Sequence, residues 1–326
     1  MSRPSTKQPL DDKLAPWHTA SQNSQAQAQR FVLHPAAACG MASPDAQLPI
    51  DDLRTDLQET LARRIHGLCF SPYVDGQKPG AQISEAQIRE RMKIIQPYTR
   101  WVRSFSCTDG NEMIPAIAHE FGLKTLVGAW LGTDDKINQR EMRAAIQLAH
   151  AGHVDVLAVG NEVLLREDLT ESQLLAFIQE AKAALPTTQV GYVDAYYLFE
   201  KHPLITAQCD LILTNCYPFW EGCPRESAIA YMQSMVSRVQ SVAPGKRIVI
   251  SETGWPNRGT PFHGAAPSDE NAIRYFIDTF ALAQREGLEV FYFSAFDEAW
   301  KVGTEGDVGA YWGLWDKDGQ QKFNGQ

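Results

Sequence analysis

Apolar residues in this chain gather in eight short runs rich in β-branched or aromatic side chains, at 66–70, 100–105, 125–129, 154–159, 190–193, 211–214, 247–250 and 290–294. Runs of this length, bounded by turn residues, read as buried strands. Their starts lie roughly 20 to 45 residues apart, enough for one returning helix per gap, as parallel strands require.

The gaps carry helix punctuation. Ser84 with Gln87 and Thr170 with Gln173 read as capping boxes, and Ser268 precedes the stripe Ile273, Phe276, Ile277, Phe280. A further helix is predicted over 51–64, capped by Asp51 or Asp52, with Leu53, Leu57 and Leu61 recurring every four residues. Eight βα units in about 260 residues match the α/β class and a closed (β/α)8 TIM barrel. An open doubly wound sheet would carry a Gly-rich phosphate loop after an early strand, and Gly67-Leu68-Cys69-Phe70-Ser71-Pro72 is not one. Residues 1–49, rich in Gln, Ser, Ala and Pro, read as a polar, low-complexity, mobile tail. That leaves 50–326 as one barrel domain with a short leading helix.

Composition acts mainly by exclusion. With 44% hydrophobic and 21% charged residues among 326, the chain can bury a large core and is neither fibrous nor mainly disordered. A net charge of -9 offers no basic footprint for nucleic acid or anionic lipid. No apolar run reaches the roughly 18 residues that span a bilayer, and residues 1–30 lack a signal layout, so a cytoplasmic location is expected unless another export route operates. The six cysteines, Cys39, Cys69, Cys107, Cys209, Cys216 and Cys223, are scattered and are expected to be reduced thiols.

In a barrel of this kind the reacting groups close the strands, and two glutamates do so here. The fourth run leads into Gly160-Asn161-Glu162 and the seventh into Ser251-Glu252-Thr253-Gly254-Trp255-Pro256. A carboxylate after four apolar residues is poorly solvated, which points either to a buried structural ion pair or to catalysis. The fourth and seventh strands of an eight-strand ring lie on opposite sides. Their glutamates can therefore meet across the mouth, as a retaining glycosidase requires.

Gly160-Asn161-Glu162-Val163 together with Ser251-Glu252-Thr253-Gly254-Trp255-Pro256 resembles glycoside hydrolase family 17, the β-1,3-glucanases and β-1,3-glucanosyltransferases, and the chain looks like a bacterial-type, single-domain member. The resemblance covers roughly 66–322 and implies hydrolysis or transglycosylation of β-1,3-glucan through a covalent glycosyl-enzyme. It implies Glu162 as general acid/base, Glu252 as nucleophile, and Asn161 as donor to the sugar 2-hydroxyl. Tyr217, in Asn215-Cys216-Tyr217-Pro218, resembles the family tyrosine that hydrogen-bonds the nucleophile; the alternative is a core aromatic before a proline turn. Glu298 and Lys301 resemble a family Glu-x-x-Lys pair in a supporting charge network, or else form a plain surface salt bridge.

Sugar rings stack on aromatic planes, and Tyr73, Trp130, Tyr192, Tyr196, Trp220, Trp255, Trp300 and Trp312 all fall near strand ends or in the final loop. Arg103 is expected at the mouth, orienting a carboxylate or hydroxyl or pairing with Glu252 or Asp109. His150-x-x-His153 lacks a carboxylate partner, and Asp316-Lys317-Asp318-Gly319 reads as a tight turn, not a calcium loop. No metal or cofactor is expected. The expected partner is a β-glucan oligo- or polysaccharide, taken by a monomer. The competing readings are a retaining barrel acting on another β-linked polysaccharide and a barrel that only binds glucan.

Overall fold

A computed structural model describes residues 49–303 and 305–324. Eight parallel strands close in chain order into one barrel. They are β1 (Ile65–Cys69), β2 (Thr99–Ser104), β3 (Lys124–Ala129), β4 (Val156–Asn161), β5 (Gln189–Ala195), β6 (Leu211–Asn215), β7 (Arg247–Thr253) and β8 (Glu289–Tyr292). The helices are α1 (Ile50–Ala62), α2 (Glu85–Ile95), α3 (Ile114–Glu120), α4 (Asp135–His150), α5 (Glu171–Ala184), α6 (Tyr196–Lys201), α7 (Pro203–Gln208), α8 (Arg225–Val242) and α9 (Asp269–Glu286). The expected TIM barrel is the fold, and each of the eight apolar runs is a strand.

The runs are continuous because barrel strands are covered on both faces, by the packed interior and by the helical ring. All five residues of β6 are buried. Closure depends on Gly67, paired with Phe291 across β1 and β8. A Cβ at that position would lie 2.3 Å from the Phe291 ring, so only glycine lets the ring cross the seam.

Local signals set the helix ends, with two departures. Thr170 and Gln173 form the reciprocal capping box, and Ser268 accepts from Asn271 N at 3.0 Å. Ser84 accepts from Gln87 N, but the Gln87 amide donates to Pro72 O at 2.5 Å instead of returning to the cap. The box is therefore half formed, because Gln87 Oε1, the acceptor its second half needs, takes a hydrogen bond from Gln77 Nε2 at 3.3 Å. The leading helix begins at Ile50 with Pro49 at its N-cap, and Asp51 and Asp52 lie in the first turn, where they complement the helix dipole without capping. Leu53, Leu57 and Leu61 are buried, and α1 packs against α9. The tail assigned to 1–49 lies, except for Pro49, outside the described residues.

The cysteine reading needs a correction. Cys69, Cys107, Cys209 and Cys216 are buried free thiols, but Cys223 is disulfide-bonded. Scattered spacing says nothing about which thiols a fold brings within the roughly 5.5–6 Å Cα separation a bridge needs. The 316–319 segment is the expected turn: Asp316 Oδ1 accepts from Asp318 N and Gln320 N. Among the described residues no helix is long and apolar enough to cross a membrane.

Candidate active site

The end of β4 is bent before it delivers its carboxylate. Gly160 has φ +83° and Glu162 φ +52°, both in the left-handed region. The pairing with β5 jumps from Ala158–Gly191 to Asn161–Val193. This bulge re-aims a side chain at the rim, and a non-glycine residue held at positive φ is costly enough to mark a functional site. It is fixed by Glu162 N donating to Val193 O at 2.8 Å and by Arg166, whose guanidinium donates to Asn161 O and, at 2.9 Å, to Leu131 O. Across the barrel, β7 carries Glu252, which is paired with Asn215 of β6.

Three donors converge on Glu252. Arg103 Nη1 reaches Oε1 at 2.5 Å, Asn215 Nδ2 reaches Oε1 at 3.1 Å, and the Tyr217 hydroxyl reaches Oε2 at 2.8 Å. Asn215 Nδ2 also donates to Glu162 Oε1 at 2.8 Å. Ser251 Oγ donates to Asn215 Oδ1 at 2.8 Å, which fixes the amide with its nitrogen toward both carboxylates. One donor atom thus holds both glutamate oxygens, placing them less than about 6 Å apart. That is shorter than the roughly 6.5–9.5 Å used by inverting glycosidases and compatible with the roughly 5–5.5 Å of retaining ones.

Arg103 is 2% exposed and spans three strand ends, donating to Glu252, to Ser251 O at 3.1 Å and to Asn161 Oδ1 at 2.6 Å. Because the Asn161 oxygen faces the guanidinium, its NH2 end points away from it. Asp109 pairs with Arg140 instead of Arg103. Lys301 Nζ lies 3.1 Å from Glu298, both buried, so this pair is no surface bridge. Arg103 pairs with Glu252, and Glu298 and Lys301 form the expected buried charge pair, so the three support the carboxylates; none is seen here as a substrate contact.

The aromatic set divides. Tyr73, Trp130, Trp220 and Trp300 are half-buried. Trp130 lies under the Arg166 guanidinium, 4.7 Å from ring centre to Cζ, and Tyr73 meets Trp300 edge-on. Trp312 is buried behind Tyr217 and Trp220. Tyr192 and Trp255, each 1% exposed, cannot be sugar platforms. Trp255 packs on Phe219 and Tyr275 with its Nε1 donating to Ala266 O, and the Tyr192 hydroxyl is used up inside the barrel wall. Tyr196 is likewise buried. Each expectation failed because a strand-end position alone does not say whether a ring points to the cleft or to the helices.

The BtgE/BtgC glycoside hydrolase domain model matches residues 67–313. The chain belongs to this family, within glycoside hydrolase family 17. A glucan 1,3-beta-glucosidase of Schizosaccharomyces pombe is 29% identical over 252 residues, covering 71% of this chain and 78% of that protein. One from Saccharomyces cerevisiae is 26% identical, covering 74% and 85%. Among solved structures, a family 17 β-1,3-glucanosyltransferase from Rhizomucor miehei is 27% identical with a TM-score of 0.72, covering 80% of this chain and 96% of its own. An endo-laminarinase from Formosa shares the fold at 20% identity and TM-score 0.71, covering 82% of this chain and 87% of its own.

In this BtgE/BtgC glycoside hydrolase the two carboxyl groups live in unlike surroundings. Burial, then the charges of Glu252 and Asp194, push Glu162 up to about 8. Burial also drives Tyr217 well above its ordinary value, as does Glu252, so the phenol stays a neutral donor. Burial works against the charge on Lys301, but Glu298, Glu305 and Glu252 outweigh it and hold the ammonium above its usual range. Three residues of this glycoside hydrolase escaped the sequence reading: Asn215, Asp194 and Arg166. Asn215 and Asp194 sit at the ends of β6 and β5, so asking which polar residue closes every strand would have found them.

Proposed function

We propose that the protein acts on β-1,3-linked glucan with net retention, Glu252 attacking the anomeric carbon and Glu162 moving the proton. The substrate is supported by its relatives: the two yeast proteins are named glucan 1,3-beta-glucosidases, and an active-site mutant of the Rhizomucor miehei enzyme is seen with laminaritriose. The observation that carries the chemistry is the Asn215 amide shared by both carboxylates.

In the first step a Glu252 oxygen bonds to the anomeric carbon as the bond to the glycosidic oxygen breaks, and Glu162 gives its proton to that departing oxygen. Esterification of Glu252 removes its negative charge, which lowers Glu162 for the reverse role. In the second step Glu162 takes a proton from an incoming hydroxyl, whose oxygen displaces Glu252. Water as the incoming group gives hydrolysis; a sugar hydroxyl gives a longer glucan. The Asn161 NH2 is available for the 2-hydroxyl, and the half-buried aromatics supply stacking faces. A disulfide at Cys223 is maintained in an oxidising compartment and not in a reducing cytoplasm.

Mass spectrometry after exposure to a slow 2-fluoro-glucosyl donor tests the reaction. A covalent label on the peptide holding Glu252, with products of retained configuration, is expected. A label on a different acidic residue, or inverted product, would overturn the assignment.

A further inference from the structure

Asp194 is the next-to-last residue of β5, is 0% exposed, and has no place in the reaction just described. A carboxylate so buried needs partners, and apart from the neighbouring Ala195 amide they lead to the loop carrying Glu162. Its Oδ2 accepts from the Tyr192 hydroxyl, and its Oδ1 accepts from Ala195 N at 2.7 Å. The same Tyr192 oxygen accepts from Leu164 N at 2.9 Å, two residues after Glu162. Leu165 N also bonds the carboxylate. Val193, the residue before Asp194, takes the Glu162 amide. The left-handed Glu162 backbone is thus gripped from β5 on both sides of its turn.

We propose that Asp194 is a positioning residue for the acid/base: through Tyr192 it holds the loop that follows Glu162, and its buried negative charge keeps the proton on the Glu162 carboxyl until the glycosidic bond breaks. This inference rests on the assignment of Glu162 above. The groups facing Glu162 come from five elements and two loops. Glu252 on β7 and Asp194 on β5 oppose its ionisation, while Asn215 on β6 and Arg166 after β4 favour it. Tyr197 on α6 and Tyr217 after β6 are neutral phenols held above their ordinary values, chiefly by burial. Arg103 on β2 is committed to Glu252, Ser251 and Asn161. Glu252 loses its charge during the reaction and Asp194 does not. Asp194 therefore sets how basic Glu162 remains in the glycosyl-enzyme, where one of the two opposing charges has gone. Burial raises Asp194 to about 6, which leaves it charged at neutral pH.

The test is the pH profile of kcat/KM for Asp194→Asn, which keeps the side-chain shape and removes the charge, with Asp194→Ser as a second neutral variant. Removing a negative neighbour makes Glu162 more acidic, so the alkaline limb is expected to move down by about one pH unit. Activity at pH 8 then falls about fivefold more than at pH 6. Tyr192→Phe, which cuts the strut and keeps the charge, is expected to lower kcat without that downward move. An unmoved limb in a folded neutral variant overturns the proposal, as does failure of both neutral variants to fold, which would assign Asp194 to stability alone. The two readings separate cleanly. If Glu162→Ala stays active and no Glu252 peptide is labelled, the catalytic assignment has failed; if those hold and the limb is unmoved, only the Asp194 inference has.

Discussion

The Tyr217 hydroxyl donates to Glu252 Oε2 at 2.8 Å, opposite the oxygen held by Arg103. Each carboxylate oxygen therefore has its own donor, and the phenol is kept neutral by burial. Removing the hydroxyl leaves a buried carboxylate oxygen without its partner. Tyr217→Phe is expected to lower kcat/KM on a β-1,3-glucan by about 10- to 100-fold with little change in melting temperature. Wild-type kinetics would mean that the contact plays no part in the chemistry.

Loss of either carboxylate should be more severe and differ in kind. Glu252→Ala and Glu162→Ala are each expected to reduce activity by at least about a hundredfold with the fold intact. Added azide should partly restore Glu252→Ala with inverted product. Glu162→Ala should recover on an aryl glucoside whose leaving group needs no proton. Near-normal turnover on glucan in either variant removes that residue from its role.

The raised Glu162 also has a thermodynamic signature. Its folded value is about 8 against an ordinary 4.5. Between those values the folded state holds a proton that the unfolded state has released, so wild-type stability falls as pH rises through that window. Glu162→Gln does not titrate. Its melting temperature minus that of the wild type should therefore grow from pH 4.5 to 8 and level off above. A difference that is flat across the window would show that Glu162 is ionised in the folded protein.

Arg103 is a case where charge alone is insufficient. Its two terminal nitrogens serve Glu252 and Asn161 separately, a fork that a lysine ammonium cannot reproduce. Arg103→Lys is expected to cost about tenfold or more in kcat and to weaken discrimination against 2-deoxy substrates, because the Asn161 amide is no longer oriented. Retention of full discrimination, read from paired kinetics on glucosides and 2-deoxyglucosides, would count against this.

Trp220 and Trp300 are half-buried and hold no reacting group. Trp220→Ala and Trp300→Ala should raise KM for oligosaccharides by about fivefold, as expected for loss of roughly 1 kcal/mol of ring stacking, while kcat changes less. A fall in kcat with KM unchanged would make them positioning residues instead.

The barrel and its two glutamates were legible along the chain because both are local patterns. A strand buried on both faces writes a continuous apolar run, a returning helix writes its caps, and a carboxylate that ends such a run stands out against it. What the chain could not convey is where side chains separated by many residues meet. Arg103 and Glu252 are 149 positions apart, and Asn215 lies 53 from Glu162. Their meeting depends on barrel closure and on register, where a shift of one residue turns a side chain from cleft to wall. That same freedom buried Tyr192 and Trp255, joined Cys223 into a disulfide, and brought Asp194 behind the Glu162 loop. Local periodicity encodes which face is apolar; only the closed barrel decides which polar groups share that enclosed space, and so which of them holds a proton.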